Sequence, residues 1–293
     1  MPSQLSPTTI SELQNLVHTH PLIDHHAHNL LCGTHSAAYP LEAITSEASG
    51  IALSDASKTL AHVRAVKQLS TWLGCAPTWE SVKEKRGAID QLAWTNKCLW
   101  GTQCLLIDDG LDDKPVESYS WHDQFTQSPT KRIVRIEKLA EQTLMEFAPD
   151  FNEDGAANDG NVEGYEADTE LFNRWSERFA GLINAAVKDP RVAGFKSIVC
   201  YRSGLDVVGN TTGGLLLEAV KNALRFSKTE GAGYKIRDKV LGDFIVCEVA
   251  RLIAKSGSWK PIQFHTGLGD NDINLIKSNP AYVPDLLHNA MMC

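Results

Sequence analysis

The sequence has no apolar run of about 18 residues, the length a helix needs to cross a bilayer. Its first residues, MPSQLSPTTISELQNLV, lack the basic start and apolar block of a secretory leader. Both absences point to a soluble, cytoplasmic protein. Basic residues are in short supply: 28 Lys and Arg against 36 Asp and Glu give a formal net charge of −8. Phosphate neutralisation needs a basic face, so neither a general nucleic-acid binder nor a polybasic membrane-surface protein is expected. There is no C-x-x-C. The seven cysteines (Cys32, Cys75, Cys98, Cys104, Cys200, Cys247 and Cys293) are odd in number and scattered, which reads as reduced thiols and not as a disulfide framework. No strand-like run leads into G-x-G-x-x-G or a P-loop, which weighs against a nucleotide-binding fold. No internal repeat of fixed period is present.

What remains is ordinary globular composition: 293 residues, 43% apolar and 22% charged. The chain is read as one domain over 1–293. Ser6-Pro7 makes a cap for a first helix carrying Ile10, Leu13, Leu16 and Val17, and Pro21 ends it. Strand-length apolar runs then occur at Leu22-Ile23-Asp24, at CLLI (104–107), at IVRI (133–136), at VAGFKSIVC (192–200) and at PIQF (261–264). Helical periodicity fills much of 54–103, then 171–188, 215–228 and 239–255. Residues 146–170 are acidic and rich in Gly, Asn and Asp, without Lys or Arg, and read as a solvated loop insertion. Strands alternating with helices argue for a parallel sheet in an α/β protein, and their unbroken apolar runs for burial on both faces.

Histidine is distributed unevenly: ten are present, and six lie between His18 and His35. In parallel α/β folds functional groups collect at the C-terminal ends of strands. The first strand leads into His26-Ala27-His28, whose i and i+2 imidazoles point the same way and suit a divalent metal. The last strand ends at His265. Lys196 lies inside an apolar run, where an unpaired ammonium costs several kcal/mol. It is either an active-site residue, such as a metal-bridging carboxylated lysine, or a structural cation paired with a carboxylate such as Glu137. Tyr201 and Arg202, just after the fourth strand, could bind a substrate carboxylate, or Arg202 could anchor a loop by a salt bridge.

These residues carry a resemblance. PLIDHHAHNLL (21–31), LLIDDG (105–110), RIVRIE (132–137), GFKSIVCYRSGLD (194–206) and PIQFHTGLGDND (261–272) together resemble the amidohydrolase superfamily. The branch is that of the amidohydrolase-related (family 2) proteins, nearest the N-terminal amidohydrolase-like half of the FluG and nodulin–glutamine-synthetase fusion proteins. The resemblance implies a (β/α)8 TIM-barrel type with one or two divalent metals, usually zinc, at its C-terminal mouth. It implies His26, His28 and His265 as metal ligands, with Lys196 a further ligand where one is used. It also implies a metal-activated water that attacks a C–N, amide-like bond of a small-molecule substrate.

The chain departs from that pattern after its fifth strand. Leu286-Leu287-His288 matches the family's sixth-strand L-L-H but arrives early, and the eighth-strand aspartate that serves as metal ligand and general base has no counterpart. The barrel is therefore expected to be truncated after strand 5 or 6, with the catalytic base unknown and an open edge prone to homo-oligomer formation. The alternative to a hydrolase is a catalytically inactive regulatory or interaction relative.

Overall fold

The computed structural model describes residues 6–33, 39–46, 48, 50–110, 115–151, 162–209, 213–267 and 273–283. The chain divides into two compact units, Met1–Ile107 with Lys114–Lys131, and Asp108–Asp113 with Arg132–Cys293.

In the first unit, Ser6 accepts a hydrogen bond from the Thr9 N–H, and Pro7 opens helix α1 (Pro7–Thr19). At that position the missing proline N–H costs nothing, because the first turn leaves it unpaired anyway. Strand β1 (Leu22–His28) follows. Four short helices come next: α2 (Ile51–Ala56), α3 (Leu60–Leu73), α4 (Trp79–Gly87) and α5 (Gln91–Cys98). Thr59, Thr78 and Asp90 cap the last three through side-chain oxygens, each accepting an N–H three residues on. They lead to β2 (Thr102–Asp108). Val82, Leu105 and Ile107 are fully or almost fully buried, whereas Leu60, Val63 and Trp100 remain largely exposed.

The second unit continues with β3 (Lys131–Arg135), α6 (Ile136–Phe147), α7 (Val162–Lys188), β4 (Val192–Ser197), α8 (Gly213–Glu230), α9 (Lys239–Ser256) and β5 (Ile262–Phe264). Strands follow chain order: β1 lies beside β2 in the first unit, and β3, β4 and β5 lie side by side in the second. β3 pairs parallel with β4, Arg135 opposite Lys196, and β4 pairs parallel with β5, Ser197 opposite Phe264. Gly194 permits the close approach of the chain before β5, since a Cβ there would stand 2.7 Å from the Pro261 carbonyl oxygen. Around β4 the helices bury Ile136, Leu144, Trp175, Phe179, Ile183, Phe195, Ile245 and Val249 completely. Trp175 stacks on Phe179 and donates its indole N–H to Thr143 Oγ1 at 3.1 Å, so the largest core side chain leaves no orphan donor. Parallel strands joined by covering helices are the α/β architecture the sequence implies, that of the first five strand–helix units of a (β/α) barrel.

Three expectations are corrected. The acidic stretch 146–170 is not loop throughout. Glu146 and Phe147 end α6, a 3-10 turn covers Ala148–Asp150, and α7 starts at Val162. Its early turns are polar, but Asp168 is buried in an ion pair with Lys221, and partnered acids do not stop a helix that packs. Residues 152–161 lie outside the described residues. The fourth strand stops at Ser197, and Val199–Tyr201 form a 3-10 turn. Finally, β1 is not buried on both faces: six of its seven residues are exposed and Leu22 and Ile23 are more than half exposed. It is the end strand of the sheet order, so only one neighbour covers it.

Candidate metal centre

β1 runs through the H-x-H and includes it. His26 and His28 therefore share one side of a strand, and their ring centroids lie 5.6 Å apart at 64°. With metal–nitrogen bonds of about 2.0 Å and a tetrahedral angle, two imidazoles on one ion have centroids about 5 Å apart. The pair fits two corners of such a site. Asp24 Oδ1 accepts the His26 N–H at 3.0 Å.

The chain leaving β1 is held by His122, which sequence reading did not single out. His122 is 1% exposed in the 3-10 segment Tyr119–Phe125. Its Nε2 accepts the Leu30 N–H at 3.2 Å, and its Nδ1–H donates to the carbonyls of Ser118 at 3.0 Å and Tyr119 at 3.2 Å. Those partners require the neutral ring with its proton on Nδ1, and burial pushes its pKa below the usual imidazole value. Asn29 Nδ2 adds a bond to the Glu117 carbonyl at 2.9 Å. An isolated histidine in an irregular segment has no periodicity to betray it.

In the second unit the end of β4 is a polar network under apolar cover. Lys196 is 4% exposed and meets Asp108, 1% exposed, at 3.1 Å; Arg135 grips the same carboxylate through Nε at 3.2 Å and an Nη at 2.6 Å. Burial alone would raise the Asp108 pKa, but the Arg135 hydrogen bonds and charge, with the charge of Lys196, outweigh it and hold the carboxyl below its ordinary value. The carboxylate facing Lys196 is thus Asp108, at the end of β2, and not Glu137. A carboxylated Lys196 would bring a second negative charge against that carboxylate. Glu137, 1% exposed, instead accepts the Ser197 hydroxyl at 2.6 Å and the Ile198 N–H at 3.0 Å through Oε1, while Oε2 has no partner among the described residues. Burial pushes its pKa up.

His265 follows β5 directly. Its N–H donates to the Ser197 carbonyl at 3.1 Å, and its Nε2 lies 2.6 Å from the Tyr201 hydroxyl. Tyr201 and His265, separately picked from the sequence, are brought together with ring centroids 4.5 Å apart. A metal on His265 would take Nδ1, or displace the phenol from Nε2. Arg202 is nearly buried, 3.5 Å from Glu141, and its Nε has no partner among the described residues. Among the described residues no three His, Cys, Asp or Glu side chains are gathered to hold a metal. His35 and His288 lie outside the described residues.

The strand order, with parallel strands joined by covering helices, is that of a (β/α) barrel. A provisionally named metal-dependent hydrolase from Lactobacillus casei ATCC 334 matches in structure with a TM-score of 0.68, covering 94% of this chain and 66% of its own, at 24% identity. That likeness carries the fold. In sequence the chain is 41% identical over 289 residues to Protein fluG of Emericella nidulans, an alignment covering 95% of this chain and 33% of that protein. The chain is thus similar to FluG over nearly all of its own length, and to the hydrolase structure in fold. It spans about a third of the length of the curated relative it matches. No family model matches the chain.

Proposed function

We propose that the chain carries the histidine ligands of a metal-dependent hydrolase site acting on a C–N, amide-like bond of a small molecule. The observation behind this reading is the pair of imidazoles at the end of β1, spaced for one ion and followed by a loop pinned by His122. His26 and His28 would hold the divalent metal, with zinc the natural choice for imidazole donors; the sequence resemblance adds His265 as a further ligand. Such an ion supplies an acidified water and polarises a carbonyl. The chain's own residues do the rest. Tyr201 fixes the His265 ring, and with Arg202 it offers a hydroxyl and a guanidinium for a substrate carboxylate. Lys196, held by Asp108, is a fixed positive charge beside the strand ends and not itself a ligand. The six cysteines described form no disulfide among the described residues, and among the same residues no helix is long and apolar enough to cross a membrane.

A second reading, a regulatory relative without turnover, draws on the absence of a gathered third ligand among the described residues and on the tyrosine hydroxyl at His265 Nε2. A screen of small amides with zinc-supplemented protein separates the two. Turnover that is lost in the His26→Ala, His28→Ala double variant supports the hydrolase. A stable metal complex with no turnover of any amide favours the regulatory relative.

A further inference from the structure

At the top of the second unit, between the turn after β4 and the start of α9, lies a cavity of about 350 Å³. Its wall carries four cations, Arg202, Arg237, Lys239 and Lys277, against one carboxylate, Asp206. Two of the four are answered. Arg202 faces Glu141 at 3.5 Å, and Lys239 pairs with Asp243 and donates to the Asp206 carbonyl. Arg237 and Lys277 form no ion pair among the described residues.

The backbone that carries these cations is fixed by its own contacts. The Lys277 carbonyl accepts the Leu205 N–H at 2.8 Å, and the neighbouring Ser278 is fully buried. Gly204 has φ +107, and its missing Cβ would stand 3.0 Å from that of Lys277; only glycine allows both the turn and the close approach. Arg237 sits between Ile236, whose N–H is accepted by Glu141 Oε1 at 2.9 Å, and Asp238, which caps α9. Lys239 opens an 18-residue helix, whose N-terminal end adds partial positive charge to the same wall.

We propose that this cavity binds a small oxyanion, a phosphate or carboxylate group, through Arg237 and Lys277 with Arg202 and Lys239 behind them. Guanidinium forks and ammonium groups converging on a pocket of this size suit an anion of two charges. None of the cavity's residues is a proposed metal ligand; Arg202 is shared with the proposed substrate contact, whereas Arg237 and Lys277, which carry the inference, are not.

The test is calorimetric titration of the full chain with inorganic phosphate and with succinate at constant ionic strength, using chloride as the control salt. Saturable one-to-one binding of either anion, weakened at least tenfold in an Arg237→Ala, Lys277→Ala double variant, supports the site, and the anion that binds identifies the group it takes. Both side chains are exposed, so the variant should melt like the parent in ligand-free buffer. Asp206→Asn, which removes the opposing charge, should tighten binding several-fold, an effect that a purely structural role for these residues would not produce. Heat no different from chloride for both anions, or unchanged affinity in the double variant, overturns the proposal.

Discussion

Asp108 and Glu137 are both about 1% exposed in the second unit, yet their pKa values move in opposite directions. Asp108 is matched by two cations, so its charged form is favoured, while Glu137 meets only a hydroxyl and an amide, so burial dominates. Removing the cation in Lys196→Met leaves Asp108 gripped by Arg135, so the cost should fall short of the about 3–5 kcal/mol of a buried charge left unpaired, read as a modestly lower melting temperature. Because the folded Asp108 pKa lies below its unfolded value, its stabilisation is complete above about pH 4 and is lost as pH falls through the folded value. Glu137 works the other way: its raised pKa makes the folded state lose stability as pH rises from the ordinary carboxylate value towards the folded one. Glu137→Gln keeps an oxygen acceptor for Ser197 and Ile198 without that charge. Its melting temperature relative to the parent should therefore climb between acidic and neutral pH; a difference independent of pH would contradict the account. Asp108 was within reach of sequence reading, since it ends a strand just as His265 follows one, but its Asp-Asp-Gly context reads first as a turn. The identity of the cation it holds was not, because that depends on how β2, β3 and β4 align.

At the scale of elements, the parallel pairs hold the site residues in register, and glycine sets how closely they pack. Gly194→Ala would drive a methyl to 2.7 Å from the Pro261 carbonyl, forcing β4 and β5 apart. It should lower the melting temperature by several degrees, and a neutral substitution would show that the β4–β5 contact can relax. His122 supports the chain that leaves the β1 histidines. His122→Ala strips the Leu30 N–H and two carbonyls of their partner, a loss worth about 1–3 kcal/mol for a buried polar group left unsatisfied. It should also reduce metal retention with His26 and His28 intact, measured by dialysis against a chelator; unchanged retention would leave His122 a purely structural residue. Helices over 171–188, 215–228 and 239–255 were legible because their apolar faces repeat at helical spacing, and each is found within a longer helix or at nearly the same bounds. The start of α7 was not, because acidic and small residues have the composition of a loop, and only the Lys221 contact to Asp168 shows why the helix continues. The exposure of β1 was equally hidden: its sequence says strand, but edge position is a property of the sheet.

Over the whole chain, composition and strand–helix alternation sufficed for the α/β class, and five short motifs in order pointed to the FluG likeness. Neither reaches the chemistry, which depends on whether histidines from separate strands serve one ion. The chain matches a third of its fungal relative and two thirds of the Lactobacillus casei structure, and metal binding is the property that its own histidines test most directly. The direct measurement is elemental mass spectrometry on size-fractionated protein after zinc supplementation and exhaustive dialysis, for the parent chain and for the His26→Ala, His28→Ala variant. One or two zinc ions per parent chain, falling to a trace in the variant while solubility and melting behaviour persist, is the result the account predicts. Equal metal content in both proteins, or none in either, would contradict it.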